Sequence, residues 1–256
     1  MMQRIFTIGW FGFLQLMRSR IYLNLLVAGV FLVGASYVVD ELSGGLAGRV
    51  TVDLGLALCS LVTATLAGVT AILGVTRQME TKEIHLLLAR PIPRAEFVVG
   101  RFITSAALVL VSNLLFGCLL GGMTTLMGTE GGARVVAASL FVSFEGFIVI
   151  GIALFFGVKS SSTMSAVFTM TLFLLGRLTL PLLELIEKGK FTGAVAHVVN
   201  GVYTALPHFF SFDLTDWART GKGLALGDVA QAAGYGLLYT AAFIVLASVR
   251  LERRDL

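Results

Sequence analysis

The sequence predicts an all-α integral membrane protein of six transmembrane helices, preceded by an interfacial helix and with both termini in the cytoplasm. Three observations predict it. The chain of 256 residues is 57% hydrophobic and only 13% charged, with mean hydropathy +0.91, whereas soluble domains carry about a quarter charged residues to face water. Six apolar runs each approach the roughly 20 residues that a helix needs to cross a bilayer. The basic residues, finally, are strongly biased to alternate connections between those runs.

The elements follow in order along a single domain, 1–256. The segment 4–18 sets Arg4, Thr7, Gln15 and Arg18 near one stripe of an otherwise apolar helix, the pattern of a helix lying in the membrane interface. A signal peptide fits less well, because Arg18-Ser19-Arg20 offers no small-residue cleavage site and a full span follows at once. The predicted spans are Ile21–Val39, Leu54–Val75, Phe102–Met123, Val135–Gly157, Met164–Ile186 and Val229–Val249. Pro181, near the end of the fifth, is expected to bend or end it. The loop 187–227 is too interrupted to cross the bilayer. It is expected to form short re-entrant or surface helices on the extracytoplasmic side, with Phe209, Phe210, Phe212 and Trp217 as interfacial aromatic anchors.

Orientation comes from the arginines and lysines. Arg4, Arg18 and Arg20, the cluster from Arg77 to Arg101, Lys159, and Arg250, Arg253 and Arg254 fall on one side, against only Arg49 and Arg134 in the short loops of the other. This places the termini and the segment 76–101 in the cytoplasm. The net charge of +4 is thereby a topology signal and requires no nucleic acid. Cys59 and Cys118 lie in apolar runs without CxxC spacing and read as packing residues, so neither a disulfide framework nor a metal site is indicated.

Residues 76–101 are the most polar and broken stretch between spans. Gln78 to Ala89 lacks Gly and Pro, with Glu80, Lys82 and Glu83 early and Leu86-Leu87-Leu88 late, which predicts a short helix with a charged start. Pro91 disfavours helical geometry at Arg90, and Pro93 suits the first turn of a second helix running through Arg94 and Glu96 into the third span. The residues alone leave two readings open: a rigid lever joined to a span, or a solvated loop whose arginines anchor headgroups.

Glu80 to Arg101, "ETKEIHLLLARPIPRAEFVVGR", resembles the signature of ABC type-2 permeases, the membrane subunits of ATP-driven exporters. Leu86, Leu87, Leu88, Ala89, Pro91, Ile92, Arg94, Gly100 and Arg101 match it, and the ending "RLERRDL" is similar to the family's basic C-terminus. Lys82-Glu83 stands where many relatives have Gly-Thr, and Pro93 where many have Ser. The resemblance implies a coupling helix seated on a separate ATP-binding subunit. In that arrangement Glu80, Lys82, Glu83 and His85 make the polar contacts, Leu86–Leu88 pack, and Arg90, Pro91 and Arg94 belong to the same interface. It also implies a dimer with a second copy or a similar permease, a cytoplasmic (inner) membrane location, and ATP and Mg bound by the partner. No cofactor is expected in this chain: it has no GxxxxGK[ST] loop, and "TGKG" at Thr220–Gly223 lacks the spacing.

Inside the spans, Glu145 and Arg177 stand at nearly equal depth on oppositely directed helices. An ionised group there costs roughly 2.5–3.5 kcal/mol on insertion scales, which predicts either a mutual ion pair or a water-filled cavity facing one or both. Gly117 and Gly121 form a GxxxG on the third span that would let helices approach closely, although small residues are frequent throughout the chain. His197, His208, Asp213 and Asp216 in the long loop lack any metal-ligand spacing. Three functions remain: a permease subunit, an ATP-independent carrier or channel using the buried charges, and a membrane enzyme. The last is weakest, since no Ser/His/Asp, HExxH or paired-carboxylate constellation is present.

Overall fold

The computed structural model describes residues 2–43, 48–80, 94–129, 131–187, 201 and 206–252. They form α1 (Met2–Met17), α2 (Arg20–Leu42), α3 (Arg49–Glu80), α4 (Arg94–Leu126), α5 (Gly132–Lys159), α6 (Ser162–Glu187), a 3-10 turn at Phe209–Phe212, α7 (Thr215–Thr220) and α8 (Leu226–Glu252). Among the described residues, five helices are long and apolar enough to cross a membrane: α2, α3 over Arg49–Val75, α4 over Ala95–Leu126, α5 over Gly132–Val158 and α8 over Leu226–Leu251. In α6 the stretch Ser162–Leu178 is a shorter apolar helix. No strand occurs among the described residues. The chain is an all-α membrane protein.

Each helix begins or ends where its local chemistry allows. Ser19 caps α2, its hydroxyl accepting the Tyr22 N–H at 3.2 Å, which satisfies one of the orphan donors of the first turn. Asp40, fully buried near the end of α2, accepts the N–H groups of Gly48 and Val50 at 3.2 Å each, so one carboxylate closes the connection into α3. Gly221 terminates α7 with φ 70°, a left-handed geometry that glycine adopts without cost, and the Arg134 side chain occupies the space a Cβ there would fill.

In a bilayer the lipid tails are as apolar as the side chains, so helices associate through close packing and internal polar bonds. α5 is central and packs against α3, α4, α6 and α8. The peripheral α2 buries only Tyr22, Gly29, Val33, Ser36 and Asp40, a single stripe, and leaves Phe31 75% exposed, acceptable only against lipid. α1 lies along the start of α4. The Thr104 hydroxyl donates to the Gly9 carbonyl at 3.0 Å, and Gly12 faces Thr104 and Arg101.

Several expectations require correction. The helices outrun their apolar cores: α3 continues without a break through Thr76 to Glu80, so the predicted separate helix from Gln78 starts inside the second span's own helix. The sequence TRQME holds no Gly or Pro to stop it. α6 passes through Pro181 to Glu187, so the proline does not end it. Phe209 and Phe212 are buried core residues and not interfacial anchors. Phe209 packs on Gly176 of α6, Phe212 on Gly236 of α8 and against Phe144 of α5. Phe210 alone of the three is exposed. Cys59 is buried but Cys118 is exposed, facing outward from α4.

Candidate functional site

At one end of the bundle the chain brings together α1, α3 and α4. Arg101, the last residue of the permease-like run, is only 5% exposed. Its Cδ lies 3.3 Å from where a Cβ on Gly74 of α3 would stand, and its Nη1 3.3 Å from the equivalent point on Gly12 of α1. Its guanidinium also sits 5.6 Å from the centre of the Phe97 ring, one turn earlier on α4. The long side chain thus fills a junction that two glycines keep open. Of the residues read as the coupling interface, Glu80 is the last of α3 and Arg94 the first of α4. Lys82, Glu83, His85, Leu86, Leu87, Leu88, Arg90 and Pro91 lie outside the described residues. Both flanks of the segment are nonetheless helices continuous with spans, as Pro93 before α4 leads one to expect.

Toward the other end, four elements contribute to a charge network. Glu145 on α5 is fully buried, and Arg177 on α6 places Nη1 3.6 Å from Glu145 Oε1. Ser60 on α3 donates to Glu145 Oε2 at 2.9 Å. Arg177 Nη2 lies 4.0 Å from Asp213 Oδ2, and Asp213 is itself fixed at the start of α7 by accepting the Thr215 N–H at 3.0 Å. The structure therefore brings Glu145 and Arg177 together, and adds two partners that the sequence did not flag. Ser60 is a lone hydroxyl in an apolar run, without any periodic signal. Asp213 stands in the long loop, where only the fold shows that it reaches back to α6. A charge pair in low dielectric is costly unless both members keep hydrogen bonds or partners, and this arrangement supplies them from three helices and the loop.

A second polar seam crosses the same bundle. The Thr63 hydroxyl on α3 donates to Asn113 Oδ1 on α4 at 2.6 Å, and Asn113 Nδ2 donates to Ser143 Oγ on α5 at 2.9 Å. Nothing in the sequence distinguished Asn113 from a lipid-facing residue. Gly117 and Gly121 face α5: a Cβ on Gly121 would stand 2.7 Å from the Gly132 carbonyl oxygen and one on Gly117 would overlap Ser139. His208 pairs with Tyr235, whose hydroxyl accepts its backbone N–H at 3.0 Å. No group of three potential metal ligands occurs among the described residues.

The sequence profile described as ABC-2 family transporter protein matches residues 7–256. The chain belongs to this family. No curated protein matches it. As an ABC-2 membrane protein, the chain is a multi-pass permease subunit of an ABC transporter, of a kind that works with an ATP-binding subunit. The buried charge network and the Arg101 junction are then features of the transmembrane half of such a machine.

Proposed function

We propose that this ABC-2 permease is the membrane half of an ATP-driven exporter in the cytoplasmic membrane. Six spans, α2 to α6 and α8, have both termini in the cytoplasm, and the working unit pairs two permeases with two ATPase subunits. ATP and Mg are held by the partner. Its closure presses on the 76–101 segment, where Glu80, Lys82, Glu83 and His85 meet it and Leu86–Leu88 pack. One observation carries this reading: the segment is flanked by α3 and α4, two unbroken helices wedged together by Arg101 against Gly74. A push on the connection has no slack to be lost in on either side. At the far end, the Glu145–Arg177–Asp213 network ties the loop before α8 to two spans, and so shuts the outer mouth until the spans tilt.

Buried ionisable residues also favour a second reading, an ATP-independent carrier that uses Glu145 and Arg177. One experiment separates the two. The chain is co-expressed with a candidate ATP-binding subunit, and Glu83→Ala and Leu87→Ala are compared with wild type. The exporter requires co-purification in wild type and loss of transport-coupled ATP hydrolysis in both variants, with membrane insertion intact. Unchanged transport in both would leave the carrier.

A further inference from the structure

α1 presents two faces, and the bundle covers one of them. Gly9 meets Ile103 and the Gly100 carbonyl of α4, Gly12 meets Thr104 and Arg101, and Leu16 is buried beside them. On the opposite arc Trp10, Phe11, Leu14, Gln15 and Arg18 are all exposed, Phe11 by 66%. The turn after α1 adds a second arginine to that side. The Ser19 N–H donates to the Leu16 carbonyl at 2.9 Å, and the Ser19 hydroxyl accepts the Tyr22 N–H at 3.2 Å. Arg18 and Arg20 therefore flank a fixed residue, and both are exposed. We propose that this outward face of α1, with the turn that follows it, binds anionic phospholipid: Arg18 and Arg20 take the headgroup phosphates, and Trp10, Phe11 and Leu14 enter the acyl boundary beside them.

The interleaving of side chains selects the kind of partner. Water does not suit Trp10, Phe11 and Leu14, and hydrocarbon does not suit Gln15 and Arg18 between and beyond them. The headgroup boundary takes both kinds of group. Charge then selects among lipids. The sequence holds no Asp or Glu from Met1 to Val39, and neither Arg18 nor Arg20 forms an ion pair with a described residue. α1 packs against α4 and α2. Glu96 of α4 is buried, and Asp40 and Glu41 of α2 stand at that helix's far end, roughly 30 Å along it from Arg20. Arg101, the other cation beside α1, is buried on the junction side. The exposed face is thus basic and uncompensated. A zwitterionic headgroup brings a cation of its own to such a face, whereas an anionic one does not. Arginine's planar fork also matches phosphate oxygens two at a time. Through the bond from Thr104 to the Gly9 carbonyl, lipids that hold α1 also hold the start of α4.

The test reads the lipid beside α1 directly. The chain has two tryptophans, so Trp217→Phe leaves Trp10 as the single reporter. The full chain carrying that substitution is reconstituted into phosphatidylcholine with a minor share of phosphatidylglycerol, and the bromine that quenches indole fluorescence is placed on one lipid or the other. Brominated phosphatidylglycerol is expected to quench Trp10 well beyond its share of the bilayer. Arg18→Gln and Arg20→Gln should each lower the relative affinity for it by roughly fivefold, and the double variant should return quenching to the bulk composition. Arg18→Lys with Arg20→Lys, which keeps both charges, should retain most of the enrichment. Trp217 in α7, kept instead in a Trp10→Phe chain, should be quenched alike with and without the glutamine substitutions. Quenching of Trp10 that follows the bulk composition in the otherwise unaltered chain, or enrichment that survives the double glutamine variant, overturns the proposal. So does a Trp10 shielded from both brominated lipids, the result expected if a protein partner covers this face.

Discussion

Arg177 of α6 stands 3.6 Å from Glu145 of α5, in the interior of a bundle where Glu145 has no exposed surface at all. The two are 32 positions apart in sequence on successive, oppositely directed helices, so a shared depth is enough to make them meet. Removing one member of such a pair leaves an uncompensated buried charge, at a cost of about 3–5 kcal/mol, while removing both can be close to neutral. Arg177→Gln should therefore lower the thermal stability of the purified protein sharply, while Glu145→Gln, which leaves Arg177 partly exposed and beside Asp213, should cost less. The double variant should recover much of the loss. Thermal unfolding in detergent gives the cycle, and strictly additive losses would dissolve the pair.

The Thr63–Asn113–Ser143 seam makes a different prediction, because no charge is involved. Asn113→Ala removes two interhelical hydrogen bonds at once. Such bonds are individually worth about 0.6 kcal/mol between membrane helices, so the expected loss is modest, on the order of 1–2 kcal/mol for the pair. Ser143→Ala keeps the Thr63–Asn113 bond and removes only the partner of Asn113 Nδ2. It should fall between wild type and Asn113→Ala when all three are unfolded under one denaturing series.

These two clusters mark the boundary of what the sequence made legible. Hydropathy over about 20 residues averages out single polar positions, so the spans were visible and Asn113 and Ser60 were not. Glu145 and Arg177 stood out because a charge in an apolar run is conspicuous in any register. Span ends were misplaced for the converse reason: Thr76–Glu80 and Arg49–Asp53 are too polar for a hydropathy window, yet nothing in them breaks a helix. Phe209 and Phe212 look like surface aromatics beside Pro207 and Asp213. Their burial is decided by Gly176 and Gly236 on distant helices, whose missing side chains make the room, and local sequence cannot announce a distant gap.

Glycines of α4 provide an internally controlled comparison. At Gly121 an added Cβ would lie 2.7 Å from the backbone oxygen of Gly132, whereas at the next residue, Gly122, it would meet nothing within 4 Å. A backbone carbonyl cannot rotate aside, so Gly121→Ala forces α4 and α5 apart at a cost of about 1–3 kcal/mol, typical of overpacking. Gly122→Ala faces outward and gains roughly 0.5–1 kcal/mol from helix propensity. Adjacent alanines should thus shift the unfolding midpoint in opposite directions. A loss at both positions would mean that glycine serves flexibility along this stretch and not close approach.

The Arg101 junction yields the prediction that bears most directly on coupling. Gly12 of α1 and Gly74 of α3 both leave room for the Arg101 side chain, and Thr104 on the next turn of α4 bonds to the Gly9 carbonyl. α1 is thereby fixed to the helix that leaves the proposed coupling segment, although its apolar face, with Trp10 and Phe11 exposed, could rest on lipid alone. Gly12→Leu places a branched side chain where Thr104 and Arg101 now stand and must lift α1 off α4. Among the described residues of α1 only Leu16 is buried in the core shared with the spans, with Phe13 and Met17 packed against it, so insertion should be kept and thermal unfolding should change less than transport. Transmission should suffer instead: in the assembled transporter, ATP hydrolysis continues while transport per ATP falls several-fold. Arg101→Lys keeps the charge but loses the planar contact over Phe97, and should give a smaller drop of the same kind. Equal stability with unimpaired transport in both variants would mean that the junction merely anchors α1, and that the push from the ATPase passes through α3 and α4 without it.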